Sequence, residues 1–112
     1  MKVKRNFSEL DSGSLTPGRL YEVIGIEADD YRIQNDDGHP YLYSPALFTV
    51  VDTHQPADWV IEVEDDGETY AYPPELNTLG FFEDYFDDNA GAILVFQRYL
   101  RKRQAVQYAM AG

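Results

Sequence analysis

Carboxylates dominate the groups that could do chemistry in this 112-residue chain: 20 Asp and Glu stand against 9 Lys and Arg, with two histidines and no cysteine. A catalytic carboxyl works from an isolated, partly desolvated position. Here the acids fall in runs and turns, such as Asp29-Asp30, Asp36-Asp37, Asp65-Asp66 and Asp87-Asp88. Nucleophilic catalysis needs a Ser, Thr, Cys or Lys beside a base. The two candidate bases, His39 and His54, have no serine motif around them and are expected to be loop residues. No glycine-rich phosphate loop, G-x-S-x-G or H-E-x-x-H pattern is present. The absence of cysteine removes disulfides, thiolate metal sites and thiol catalysis. The Asp runs offer hard oxygen ligands, but none has the D-x-[DN]-x-[DN]-G spacing closed by a Glu that a calcium loop requires. The expectation is a non-enzymatic protein with no cofactor and no metal.

The placement of charge says more than its total of −11. Basic residues occur at Lys2, Lys4, Arg5, Arg19 and Arg32, and again only at Arg98, Arg101, Lys102 and Arg103. Residues 33–97 hold 14 Asp and Glu and no Lys or Arg. Such a span either keeps a small protein soluble or creates a field that steers a basic partner onto one face. Nucleic acid is disfavoured as a direct ligand, because it binds basic surfaces. Tyr41 with Tyr43, and Tyr70 with Tyr72, project pairwise from one side of their strands. They read as cross-strand packing or as interface anchors; a base-stacking platform in this acidic setting would repel its ligand.

These groups must be positioned by a mostly β chain. Residues 2–7 read as an opening strand and 8–17 as a Ser-, Gly-, Asp- and Pro-containing loop. Residues 19–28 alternate as a strand, kinked at Gly25. Asp29-Asp30 is expected to turn into a strand over 31–35. Asp36-Asp37-Gly38 marks a hairpin whose return strand is 40–43, followed by one helical turn at 44–47 and a strand at 48–52. Residues 53–58 form a short linker. A half-buried strand over 59–64, with Trp59, Ile61 and Val63 inward, leads through Asp65-Asp66-Gly67 to a return strand at 69–72, which Pro73-Pro74 stops. Beyond it the period changes to that of a helix. Phe81, Phe82, Tyr85 and Phe86 share one arc over 80–88, with Glu83, Asp84, Asp87 and Asp88 on the other. Asn89 is placed to cap a second helix over 90–107, with Ile93, Phe96 and Leu100 as its stripe and the basic residues in its C-terminal half. Residues 108–112 are expected to fray.

An internal echo runs through both hairpins. Asp36, Asp37, Gly38, Tyr41, Tyr43, Pro45 and Leu47 recur as Asp65, Asp66, Gly67, Tyr70, Tyr72, Pro74 and Leu76 at a constant offset of 29 residues. Two units are too few for a solenoid. The echo is read as a repeated hairpin-plus-turn device or an old duplication.

Residues 15–52 carry a first resemblance. Their strand–turn–strand–turn order, the Tyr-Leu-Tyr strand, Ser44 before Pro45 and the closing Phe48-Thr49-Val50-Val51 resemble small bacterial and phage domains similar to barrels of the Src-homology type. Residues 59–88, with the runs YAYPPEL and GFFEDYFD, resemble small immunity proteins of bacterial polymorphic toxin systems. That second resemblance implies a protein that binds and blocks a cognate toxin with a basic cleft, and it carries over no catalytic residue. The partner-binding candidates are Asp65, Asp66, Glu68, Tyr70, Glu83, Asp84, Asp87 and Asp88. A nucleic-acid charge mimic and a plain adaptor module are the alternatives.

The expected fold is α+β: a bent antiparallel sheet or small barrel of six to seven strands, followed by a C-terminal helical pair. Length suits a single domain, divided into a barrel-like half (1–52), a second hairpin with its connection (53–79) and the helices (80–112). Trp59, Ile61, Phe82, Phe86, Ile93, Phe96 and Leu100 are expected in the core, so Phe86→Ala should cost ~3–5 kcal/mol. The longest unbroken apolar run, residues 92–96, is far too short to span a bilayer, and no signal-peptide pattern follows the basic start. A cytoplasmic protein is expected.

Overall fold

β-branched and aromatic side chains, broken by Asp-, Gly- and Pro-bearing turns, form seven strands before the chain turns helical. The computed structural model describes residues 1–7 and 14–111, with side chains as far as 105. The strands are β1 (Lys2–Arg5), β2 (Leu20–Glu27), β3 (Asp30–Gln34), β4 (Pro40–Tyr43), β5 (Phe48–Asp52), β6 (Val60–Val63) and β7 (Thr69–Tyr72). The helices are α1 (Phe81–Phe86) and α2 (Ala90–Ala111). The chain forms two compact units, Met1–Pro73 and Pro74–Gly112. The α+β architecture is as expected. Most of the loop expected over 8–17, and the side chains at the end of α2, lie outside the described residues.

In the first unit all pairings are antiparallel, in the order β4-β3-β2-β1-β5, and the sheet is not closed. The hairpin of β6 and β7 joins it through Ile26 of β2, which pairs with Ala71 of β7. β2 carries this branching because it is long and bends. Its register with β3 shifts between Val23 and Gly25. The expected in–out alternation is lost there, and Val23, Ile24, Gly25 and Ile26 are all buried. The turn after it falls one residue earlier than expected: Ala28 and Asp29 take positive φ, and Asp30 already belongs to β3. The Asp29 carboxylate accepts from the Thr69 N–H at 2.9 Å, fastening this turn to the start of β7. Val3, Tyr21, Val23, Ile26, Ile33, Phe48, Trp59 and Ala71 form the core of this unit.

A buried polar network crosses four strands. The Arg32 guanidinium donates to Tyr72 Oη at 3.1 Å, to the Pro40 carbonyl at 3.0 Å and to Glu27 Oε1 at 3.1 Å, and Tyr72 Oη donates to the same Glu27 oxygen at 3.0 Å. A buried guanidinium is tolerated only when paired and hydrogen-bonded in this way. The Tyr72 ring lies directly on the backbone of Gly25, where a Cβ would stand 2.1 Å from its Cε1. Gly25 is therefore the floor of the Tyr72 site.

Two core expectations fail. Ile61 is 56% exposed, and the whole of β6 is solvent-facing although Trp59 just before it is buried. Among the described residues β6 pairs with β7 alone, and all four of its residues are exposed. Phe86 is 39% exposed, because α1 is a six-residue helix too short to bury four aromatics. Phe81, Phe82 and Phe96 are buried in the second unit, with Ile93 and Leu100 half-buried. Rings of Phe82, Tyr85 and Tyr99 surround Phe96, at centroid distances of 6.3, 5.2 and 6.3 Å. Asn89 caps α2 as expected, accepting from the Ala92 N–H at 3.0 Å. The helix runs on to Ala111, through residues expected to fray.

Candidate functional site

The two Asp-Asp-Gly turns share one backbone. Asn35 N–H donates to the His39 carbonyl at 2.9 Å and Gly38 N–H to the Asn35 carbonyl at 2.9 Å. In the second turn, Glu64 donates to Glu68 at 2.9 Å and Gly67 to Glu64 at 2.8 Å. Gly38 and Gly67 take φ of 83° and 87°, which glycine adopts without a Cβ penalty. The correspondence continues downstream: β4 and β7 match at the 29-residue offset, and each is followed by a 3-10 turn, Pro45–Leu47 and Pro74–Leu76. The echo in the sequence is thus a structural repeat.

Side chains make the two turns different. Asp36 accepts from Arg19 Nη1 at 2.9 Å, Tyr21 Oη at 2.7 Å and Thr16 Oγ1 at 2.7 Å, and the Ser14 hydroxyl donates to Asp37. Partial burial pushes the Asp36 pKa up, but the hydrogen bonds from Tyr21 and Thr16 and the Arg19 charge outweigh it, so the carboxyl sits below its ordinary value. Buried Asn35 takes the Asp37 and His39 N–H groups on its side-chain oxygen, both at 3.0 Å. The acids of the first turn are consumed in holding the chain segment 14–21 against the hairpin.

At the second turn, Asp65 and Asp66 are exposed and Glu68 and Tyr70 half-buried. Asp66 accepts from the Glu68 N–H at 3.0 Å, a local turn bond, and Tyr70 Oη donates to Glu68 at 3.4 Å. Among the described residues no cation pairs with Glu62, Glu64, Asp65, Asp66 or Glu68. The accumulated charge is visible at Tyr70. Its pKa is raised, by desolvation first and then by the charges of Glu68, Glu64 and Asp66.

The remaining candidates lie in the second unit. Glu83 and Asp84 are exposed on α1, Asp87 ends that helix, and Asp88 follows with φ of 62°. None of the four forms an ion pair among the described residues. The eight candidates thus form two groups of four, one in each unit. In the second unit Lys102 approaches Glu75 at 3.7 Å, so part of the basic cluster on α2 meets an acid of its own unit. A shallow cavity of about 210 Å³ there, touching Glu75, Phe81, Asp84, Asn89 and Val95, is smaller than typical small-molecule sites of roughly 300–1,000 Å³. His39 and His54 are exposed in loops. Among the described residues no group of three or more His, Asp and Glu could hold a metal ion, and no helix is long and apolar enough to cross a membrane.

Sequence reasoning missed the exposed apolar edge beside these acids: Ile61 and Val63 are 56% and 68% exposed. The alternation of residues 59–64 is that of a half-buried strand and carried no signal of this exposure. The chain matches no protein-family model, no curated protein and no solved structure.

Proposed function

We propose that the protein is a non-enzymatic inhibitor of the immunity type, which binds a cognate toxin and occludes its basic active-site or substrate-binding surface. One observation carries this reading: the same turn occurs twice, and the side chains of Ser14, Thr16, Arg19 and Tyr21 hold the acids of the first, whereas among the described residues no cation pairs with the acids of the second. Clustered uncompensated carboxylates raise the free energy of the isolated protein, and a basic partner relieves that repulsion. Tyr70, half-buried beside Glu68, supplies an amphipathic anchor of the kind enriched at interfaces. On the same reading residues 15–52 are akin to Src-homology-type barrels, a likeness carried by their sequence pattern. On this reading the protein acts in the cytoplasm, where a toxin threatens the cell that makes it, and contacts no nucleic acid directly.

The test is co-expression with the product of an adjacent toxin gene. Wild-type protein should protect the cells and co-purify with the toxin in a complex that weakens as salt rises. The triple variant Asp65→Asn, Asp66→Asn, Glu68→Gln should lose protection while keeping its fold. Absence of both protection and complex would sink the proposal.

A further inference from the structure

The outer edge of β6 can be read residue by residue. The hydrogen bond from Glu64 N–H to the Glu68 carbonyl and the register Glu62↔Tyr70 and Val60↔Tyr72 fix the parity of the ladder. Val60, Glu62 and Glu64 turn their backbone groups toward β7. Ile61 and Val63 therefore point their N–H and C=O groups away from it, along an edge where, among the described residues, the sheet has no further strand. Proteins usually blunt such an edge with Lys, Pro, a bulge or a covering loop. Here β6 is short and carries Glu62, but among the described residues it has no Lys, Pro or bulge, and its Val60, Ile61 and Val63 side chains are exposed on both faces.

The surrounding charge selects the occupant. Asp58, Glu62, Glu64, Asp65, Asp66 and Glu68 flank the edge, and residues 33–97 contain no Lys or Arg. Pairing β6 with β6 of a second copy would set these carboxylates against their equals, and like charges across strands destabilise a sheet. An extended segment with alternating β-branched and basic residues satisfies both the backbone groups and the charge. We propose that β6 is a strand-addition site: a basic, extended segment of the partner pairs antiparallel with Ile61 and Val63, its cations reaching Glu62, Glu64 and the Asp65-Asp66 turn. This rests on the reading of the protein as an acidic inhibitor and adds how the partner is held: main-chain bonds hold the segment and charge chooses it.

The probe is a short capped peptide of alternating valine and lysine, followed by fluorescence anisotropy and by the amide signals of Ile61 and Val63. Wild-type protein should bind it, with both amides gaining protection from exchange, and should not bind the corresponding valine–glutamate peptide. Val63→Pro removes an outward-facing N–H that β7 does not use, as proline tolerates on an edge strand. Binding should weaken about tenfold with the melting temperature little changed. A lysine peptide N-methylated on alternate residues should fail against wild-type protein, which keeps the test decisive if Val63→Pro misfolds. Equal binding by the N-methylated peptide or by Val63→Pro, with loss in Asp65→Asn, Asp66→Asn, Glu68→Gln, would overturn strand addition and leave the acidic-inhibitor reading standing. Binding lost in Val63→Pro but unchanged by that triple variant would leave edge pairing standing and remove the charge argument from both. Self-association of the free protein through β6 would overturn the choice of a basic partner.

Discussion

Gly25 and Tyr72 show how much one missing carbon can decide. Gly25 does not take positive φ, so its backbone alone would accept alanine, and removing glycine's unfolded-state freedom would by itself stabilise by about 0.4–1 kcal/mol. The ring of Tyr72 reverses that sign. It is buried, and Arg32 and Glu27 hold its hydroxyl, so it cannot swing away from an added Cβ. Gly25→Ala should destabilise by about 1–3 kcal/mol, as overpacking does. In a Tyr72→Ala background the same change should be neutral or stabilising; chemical denaturation of the four proteins of the cycle checks this. Burial also raises the Tyr72 phenol above its ordinary 10.0, with the Arg32 charge opposing and Glu27 adding to the rise. Above pH 10 the unfolded chain gives up this proton while the folded state keeps it, so stability is full below pH 10 and falls as pH climbs beyond it. Tyr21 and Tyr70 shift the same way. Denaturation midpoints between pH 9 and 12 should therefore drop, less steeply in Tyr72→Phe. From sequence Gly25 was legible as a kink. Its contact with a ring 47 positions later was not, because no local pattern records what crosses a strand.

Elements were legible where their cause is local. Turn chemistry located both hairpins, Pro-Pro ended β7, and the change to helical period placed α1 and α2, because each depends on a few neighbouring residues. The 29-residue echo was legible for the same reason and proved to be a repeat of hairpin and 3-10 turn. Burial was legible only where a second layer exists. β6 alternates as a half-buried strand should, yet periodicity says nothing about whether anything lies opposite, and all four of its residues are exposed. The candidate acids were found by charge alone. What separates Asp36 from Asp65 is the segment 14–21, which reaches one turn and not the other. α1 makes the same point energetically. Phe86 was expected to be core, but it is 39% exposed and meets Tyr85 edge-on at 5.1 Å. Phe86→Ala should cost about 1–2 kcal/mol rather than the ~3–5 kcal/mol of a fully buried ring. Phe96, 2% exposed among three other rings, should cost that larger amount on truncation. Urea melts of the two variants measure the difference, and equal losses would mean that the exposed face of α1 is covered in solution.

For the whole molecule the sign of the salt effect is a direct consequence of composition. Even with every Lys and Arg paired one to one, twenty carboxylates against nine cations leave eleven without a Lys or Arg of their own. In the hydrogen-bonded pair of Arg32 and Glu27 the guanidinium is buried, so counterions weaken it less than they screen Glu62, Glu64, Asp65 and Asp66 of the β6–β7 hairpin and Glu83 and Asp84 of α1, which are exposed. Repulsion is therefore lost to salt faster than attraction. Folding concentrates the acids, so the folded state gains more from screening than the unfolded chain does. The melting temperature of the free protein should rise by on the order of a few degrees between about 10 mM and about 150 mM sodium chloride, where the screening length falls to roughly 8 Å. A basic ligand should show the opposite dependence, binding best where the free protein is least stable, since the same repulsion that weakens the isolated fold favours association. Thermal melts at both salt concentrations, with and without the valine–lysine peptide, read both signs in one experiment. Ligand-induced stabilisation should shrink as intrinsic stability grows. A melting temperature that falls with salt in the free protein would mean that its attractive pairs outweigh its uncompensated acids, and would remove the electrostatic basis for a basic partner.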